Sequence, residues 1–361
     1  MSSHVRNPRR LVIAAAGGAM VLAVVLTSCS SGSGKTSSSS SAGARPSLSP
    51  GQSVANASGT SVRVAYVPGF VSNGAIAIGQ SMGIFASVGS TVELKEFPTG
   101  TAVSQALLTG AADAAVVPYS TFFALNEQGR DVIALANLST NVSQQVVVRP
   151  NSGIDPSDPK TFLNKTIGAV GGFVDGVYRS VYTQFGQDPS SAKVVQFQTF
   201  AALTAAMASK QIDATITNGA AVQSLITGAS GVIAYQCSAS PQPFKFCAEP
   251  NTAIIASKSW VADHEAAALA LVQGMIKTAQ TAHSAPNSVL TAAVTVEKPT
   301  DVSSFNSQNL TAVQAYSPNL TQEGFNLVLQ DAIGSKQVTK VNGDYSSLVW
   351  SEGRALWQNE K

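Results

Sequence analysis

Two periodicities alternate along the body of this chain. Short β-rich runs, such as residues 62–67 and 166–170, give way to stretches where apolar positions recur at helical spacing. Both of these runs deliver the same tripeptide onto the start of a helix: Gly69-Phe70-Val71 in one case, Gly172-Phe173-Val174 in the other. A longer correspondence follows at an offset of one hundred positions without a gap, where Phe97 matches Phe197, Thr99 matches Thr199, and Asp113-Ala114 matches Asp213-Ala214. Each copy parses alike. A β-rich run ends at the Phe, a Thr-containing turn caps a helix of about ten residues, and a polar Asp precedes a buried strand at residues 114–117 or 214–217. The pattern predicts a β-loop-α-β-α-β unit present twice. Common ancestry is not required, because two lobes under the same fold constraints would produce it. Alternating strands and helices imply parallel sheets covered on both faces. Ligands of such sheets bind beyond the carboxyl ends of the strands, and two facing lobes make a cleft.

The N-terminus has another character. Arg6, Arg9 and Arg10 precede an apolar run from Leu11 to Leu26. That run falls short of the ~20 residues a membrane-spanning helix needs, and its basic start and small-residue end describe a signal peptide, residues 1–28. Leu26-Thr27-Ser28-Cys29 resembles a bacterial lipobox, which makes Cys29 the expected site of lipidation and the outer face of the cell membrane the expected location. Arg9-Arg10 also fits a twin-arginine signal, so two export routes stay open. Residues 29–60 are rich in Ser, Gly, Ala and Pro and cannot bury enough surface to offset their ordering entropy, so they read as a tether. Gly34-Lys35-Thr36 within it lacks the earlier glycine and the preceding strand of a phosphate-binding loop.

Composition narrows the function. The chain is 44% hydrophobic and 12% charged, which suits a packed body of about 300 residues after the tether. A net charge of +2 with no basic run argues against nucleic acid. Cys237 and Cys247 stand in a Pro-rich stretch, and an oxidising compartment favours a disulfide between them, worth about 3 kcal/mol by loop closure. The three histidines, His4, His264 and His283, lie away from that pair, which removes a metal site. No nucleophile elbow, zinc-protease motif or Cys–His partnership is present, so neither an enzyme nor a cofactor is expected.

Several segments together resemble the substrate-binding proteins of ABC importers for nitrate, sulfonates, taurine and thiamine-related pyrimidines. They are residues 64–68, 81–85, 92–94, 106–116, 164–168 and 207–215, and the likeness spans about residues 62 to 285. It implies an α/β fold of two Rossmann-like lobes joined by two crossing strands, the type II periplasmic-binding fold, with a C-terminal helical extension. The first crossing would be Gln145–Arg149 and the return Thr252–Ser257. Lobe 1 would then comprise residues 61–145 and 252–361, lobe 2 residues 146–251, and a long helix near Trp260–Ala282 would pack back on lobe 1. The implied partners are a small-molecule solute, the permease subunits, and the bilayer through Cys29, with the protein itself a monomer.

Carried over by position, the resemblance puts the solute against strand-end loops. These supply Phe70, Ser72 and Asn73; Thr99, Gly100 and Thr101; Tyr119, Ser120 and Thr121; and Asn141 and Ser143. Lobe 2 supplies Gly172, Phe173, Asp175, Asn218 and Gly219. Helix starts at residues 99–101 and 171–172 would present backbone N–H groups to an anion, and Phe70, Tyr119 and Phe173 could sandwich a planar or apolar part. Each assignment has a structural counterpart. Phe70 can staple its helix, the Gly171-Gly172 pair can serve a tight turn, and Asp175 suits a first helical turn unless it meets an amine on the solute. Asp113 and Asp213 read as turn residues. Sulfonates, nitrate, zwitterions and pyrimidine-like heterocycles all remain candidates. A ligand sensor or receptor accessory on the same fold is a second function class, and a pyrimidine-synthase-like enzyme a third.

Overall fold

A computed structural model describes residues 59–69, 71–140, 144–239, 242, 244–250 and 252–358, with the backbone alone at Ser72. The signal peptide, Cys29 and nearly all of the tether lie outside the described residues, as do Phe70, Asn141 and Ser143.

Strand β1 (Thr60–Tyr66) alternates at first, with Val62 and Val64 buried and Ser61 and Arg63 facing outward, then is buried on both faces through Ala65 and Tyr66. That is the pattern of a sheet covered by helices. The chain continues through α1 (Val71–Ser81), α2 (Ile84–Ser87), β2 (Ser90–Glu96), α3 (Gly100–Leu108), β3 (Ala114–Pro118), α4 (Tyr119–Glu127) and β4 (Val132–Asn137). A second series follows: β5 (Gln145–Val148), β6 (Thr166–Ala169), α5 (Gly172–Gln184), β7 (Lys193–Gln196), α6 (Phe200–Ala208), β8 (Ala214–Thr217), α7 (Ala220–Ala229) and β9 (Val232–Gln236). Then come β10 (Thr252–Ser257), α8 (Lys258–Asp263), α9 (Glu265–Ser284), α10 (Pro286–Glu297), α11 (Val302–Gln314), α12 (Gln322–Gly334), α13 (Tyr345–Leu348) and α14 (Ser351–Trp357). No helix among the described residues is long and apolar enough to cross a membrane.

The strands form two five-stranded sheets, ordered β2-β1-β3-β10-β4 and β7-β6-β8-β5-β9. The two orders correspond strand for strand. The sheets are mixed, not parallel throughout as the alternating pattern predicts. β10 runs antiparallel to β3 and β4, and β5 antiparallel to β8 and β9. Each follows in sequence a strand of the other sheet, β5 after β4 and β10 after β9, so it is not the return strand of a β-α-β unit within its own sheet.

The repeat visible in the sequence is a repeat of local bonding. Thr99 caps α3 by accepting from Ala102 N at 3.3 Å, and Thr199 caps α6 by accepting from Ala202 N at 3.1 Å. Asp113 accepts from Arg63 N at 2.8 Å, while its own N–H donates to Arg63 O. Asp213 accepts from Thr166 N at 2.9 Å and donates back to Thr166 O. Both carboxylates also hold an arginine, Arg63 at 2.6 Å and Arg149 at 2.7 Å. These aspartates tie the start of one strand to its neighbour, which is a structural role.

One hydrophobic core joins the first sheet to α9 and the helices after it, including Phe305, Phe325, Trp350 and Trp357. The second sheet has a core on each face. One is aromatic, around Phe162, Tyr178, Tyr182, Phe244 and Phe246, and closes on the Cys237–Cys247 disulfide, whose Cα atoms are 5.0 Å apart. The other is aliphatic, around Leu203, Met207, Ile212 and Leu225. The helix expected near Trp260–Ala282 is two, because His264 leaves helical geometry at φ −132° and stacks on Trp260.

The C-terminal segment does more than cover the first sheet. Lys336 Nζ bonds Asp188 at 2.8 Å and Thr183 Oγ1 donates to Gly334 O at 3.4 Å, linking the end of α12 to α5 and the turn after it. On another side, Asp301 N donates to Gln223 Oε1 of α7 at 3.2 Å, and Gln223 Nε2 donates to Asp301 O at 2.5 Å.

Candidate functional site

The carboxyl ends of β1, β3, β6 and β8 point toward one cavity of about 820 Å³, with walls from both sheets' loops and helices. Its volume lies in the range of small-molecule sites. Asn73, Gly100, Thr101, Ser120, Thr121, Gly172, Phe173 and Asp175 all line it, eight of the residues that the sequence nominates.

Three helix N-termini converge there. α3 begins at Gly100 with its Thr99 cap bonded to Ala102 N, and α4 and α5 begin at Tyr119 and Gly172 without a side-chain cap. The first N–H groups of a helix have no intrahelical acceptor, and the aligned peptide dipoles favour negative charge. Gly171, at φ +88°, carries the turn into α5, and a Cβ added to it would stand 3.7 Å from Gly100 N. Two helix starts from different halves of the molecule therefore face each other at van der Waals range. Hydroxyls of Thr101, Ser120 and Thr121 add polar groups to the wall.

Other nominated residues have different positions. Thr99 serves as the α3 cap and does not line the cavity. Tyr119 is 2% exposed, and its hydroxyl donates to Asn137 Oδ1 at 3.2 Å. It reaches only a smaller adjoining cavity, because the first turn of α4 rotates it inward. Asn218 is fully buried behind the wall. Gly219 stands where the β8–α7 loop meets the β1–α1 loop, and Ser72 opens α1 with its backbone.

Charge in the cavity is already partly matched. Asp175 lies 3.0 Å from Arg179, one helical turn on, and Arg179 also donates to Pro189 O at 2.9 Å. Asp175 thus has an ion-pair partner within its own helix. Arg179, Arg130 and Lys336 bring three cationic side chains to the wall against the single carboxylate of Asp175.

Sequence reasoning missed several lining residues. Arg179 was within reach, since an acid and a base four apart on a helix meet. Gln144 follows Ser143 directly and is 3% exposed, with Oε1 buried and accepting no hydrogen bond among the described residues. Lys336 and Gln337 come from the turn after α12, and no local signal connects them to a cleft far earlier in the chain.

A sequence model described as NMT1/THI5 like matches residues 73–289. No curated protein sequence is similar to this one. Solved structures are similar in fold at low identity. The alkanesulfonate-binding protein SsuA from Xanthomonas axonopodis pv. citri, bound to MOPS, superposes with a TM-score of 0.62 at 13% identity, covering 81% of this chain and 99% of its own. The ligand binding component of an ABC-type import system from Staphylococcus aureus gives 0.65 at 10% identity, with 83% and 100% covered. The periplasmic nitrate-binding protein NrtA from Synechocystis PCC 6803 gives 0.57 at 15% identity, with 69% and 70% covered.

Proposed function

The chain belongs to the NMT1/THI5-like family, and from that premise we propose that it is the extracytoplasmic solute-binding component of an ABC importer. In this reading two lobes, one around each sheet, close on a small solute and present it to a permease. The observation that carries the reading is the cavity at the strand ends of both sheets, with the starts of α3 and α5 meeting in its wall at Gly100 and Gly171. Such a site suits a small oxyanion or an anionic group on a larger solute. Proteins of this fold include an alkanesulfonate-binding and a nitrate-binding protein, which agrees with that chemistry.

Lipidation of Cys29 gives the reading a location. A diacylglyceryl anchor at Cys29 holds the cleft near its permease. The chemistry of the cavity wall is that of recognition: hydroxyls, helix starts and a matched ion pair.

A thermal-shift screen over sulfonates, nitrate, zwitterions and pyrimidines tests capture, since a solute at 100 times its Kd adds about 2.7 kcal/mol. Deletion of the gene should abolish uptake of the solute found. C29A should release a folded, binding-competent protein into the medium and reduce uptake without reducing affinity. A screen without a hit, together with unchanged uptake after deletion, would sink the reading.

A further inference from the structure

Beside the main cavity lies a smaller one of about 40 Å³, and Pro118, Ser120, Phe173 and Gln337 line both. A water needs about 10–15 Å³ by this measure, so the side cavity has room for a headgroup of one or two heavy atoms. Two carboxylic acids from distant parts of the chain meet there. Glu249 comes from the segment leading into β10, and Asp331 from α12. The rings of Tyr119 and Phe173 complete the wall with Val177 and Val328.

Glu249 is the telling residue. It is 8% exposed, and its carboxyl makes no hydrogen bond or ion pair among the described residues. Burying a carboxyl without a partner is costly, and facing it toward a second acid adds to the cost. Lys245 acts on both from further away, while Ser180 acts on Asp331. The cost is recovered when something positively charged or strongly donating enters. Two acids are too few for a hard divalent cation, which takes six to eight oxygens. Two acids with two aromatic rings suit an ammonium group, held by charge and by the ring faces.

We infer that this side cavity is the subsite for a primary or N-methylated ammonium group, so that the solute carries an amine as well as the group bound by the helix starts of the main cavity. The inference rests on the capture reading and names the solute class within it. The acid pair also predicts a proton release. Burial pushes Glu249 up to about 8, reinforced by Asp331 and opposed by Lys245. Burial likewise raises Asp331 to about 6. An arriving ammonium displaces that bound proton, so affinity for amine-bearing solutes should rise from pH 6 to pH 8.

The test is calorimetric titration of the purified chain with short alkanesulfonates and carboxylates, each with and without a terminal amine. Repeating it in buffers of different ionisation enthalpy reads the proton release. The aminated member of a pair should bind at least about tenfold more tightly, the equivalent of 1.4 kcal/mol. E249Q and D331N should each collapse that ratio toward one, with folding checked by circular dichroism. Equal binding within pairs, or a ratio that E249Q leaves intact, overturns the inference while capture stands. Binding by none of the probes overturns both. Potassium or ammonium chloride matching the amines in stabilisation at equal ionic strength also overturns it, in favour of an inorganic cation.

Discussion

Gly219 and Gly69 meet backbone to backbone: a Cβ added to Gly219 would stand 2.9 Å from Gly69 O. The first belongs to the β8–α7 loop of one sheet and the second to the β1–α1 loop of the other. Gly219 also holds φ +61° with ψ −143°, a combination essentially confined to glycine. G219A therefore meets two penalties, backbone strain of about 1–3 kcal/mol and a clash across the mouth of the cleft. The expected outcome is a lower urea midpoint together with weaker solute binding. A variant that binds as tightly as the parent would show that this approach is not needed for the bound state.

Phe173 and Tyr119 separate two kinds of aromatic side chain. Phe173 is partly buried and lines both cavities, so F173A should weaken binding of the solute by about tenfold or more, as removal of a central aromatic anchor does. Tyr119 is buried against Phe123, with ring centroids 6.1 Å apart, and its hydroxyl is engaged by Asn137. Y119A should act mainly on folding, by about 3–5 kcal/mol, with its effect on binding confined to the amine preference of the side cavity it lines. Denaturation and titration of both variants check the contrast, and a Y119A protein of parental stability would contradict it.

The same pair shows what a sequence can convey here. Thr99, Thr199, Asp113 and Asp213 were legible because caps and turn carboxylates bond within a few residues or across neighbouring strands. The helix starts at Gly100 and Gly172 were legible for the same reason. Tyr119 was not, since whether a residue after a strand faces ligand or core depends on the rotation of the helix it begins. Glu249, Asp331, Lys336 and Gln337 were out of reach, because α12 folds back over segments that lie far from it in the sequence. Nor did any local signal show that β5 and β10 run antiparallel, which follows from how the chain passes between sheets.

Three buried or half-buried acids set a pH dependence. Burial raises Glu249 to about 8, Glu297 to about 7 and Asp331 to about 6, with the like charge of Asp331 adding to the effect at Glu249 and that of Glu96 at Glu297. Unfolded, the glutamates release their protons near 4.5 and the aspartate near 3.8. Between those limits the folded chain binds more protons than the unfolded one, so stability falls as pH rises. The protein without solute should be most stable near pH 5 and lose stability toward pH 8. The slope is at most about 1.4 kcal/mol per pH unit for each group. Urea midpoints across that range measure it, and E249Q and E297Q should each flatten the curve. A midpoint that climbs from pH 5 to pH 8 would contradict the assignment.

Gln144 is the residue at which stability and binding should part. It lies just before β5, where the chain passes between the sheets, and it faces the main cavity while almost fully buried. Its Oε1 accepts no hydrogen bond among the described residues, which costs the solute-free protein about 1–3 kcal/mol. A solute with a donor at that point would satisfy the acceptor, so the cost becomes part of the selectivity of the site. Q144M keeps the volume and removes the polar group. It should raise the urea midpoint of the solute-free protein and weaken the solute by about tenfold, since the wall loses the acceptor. A purely structural glutamine would give the opposite pairing, with stability lost and affinity unchanged, and measuring both quantities on one variant decides between the two roles.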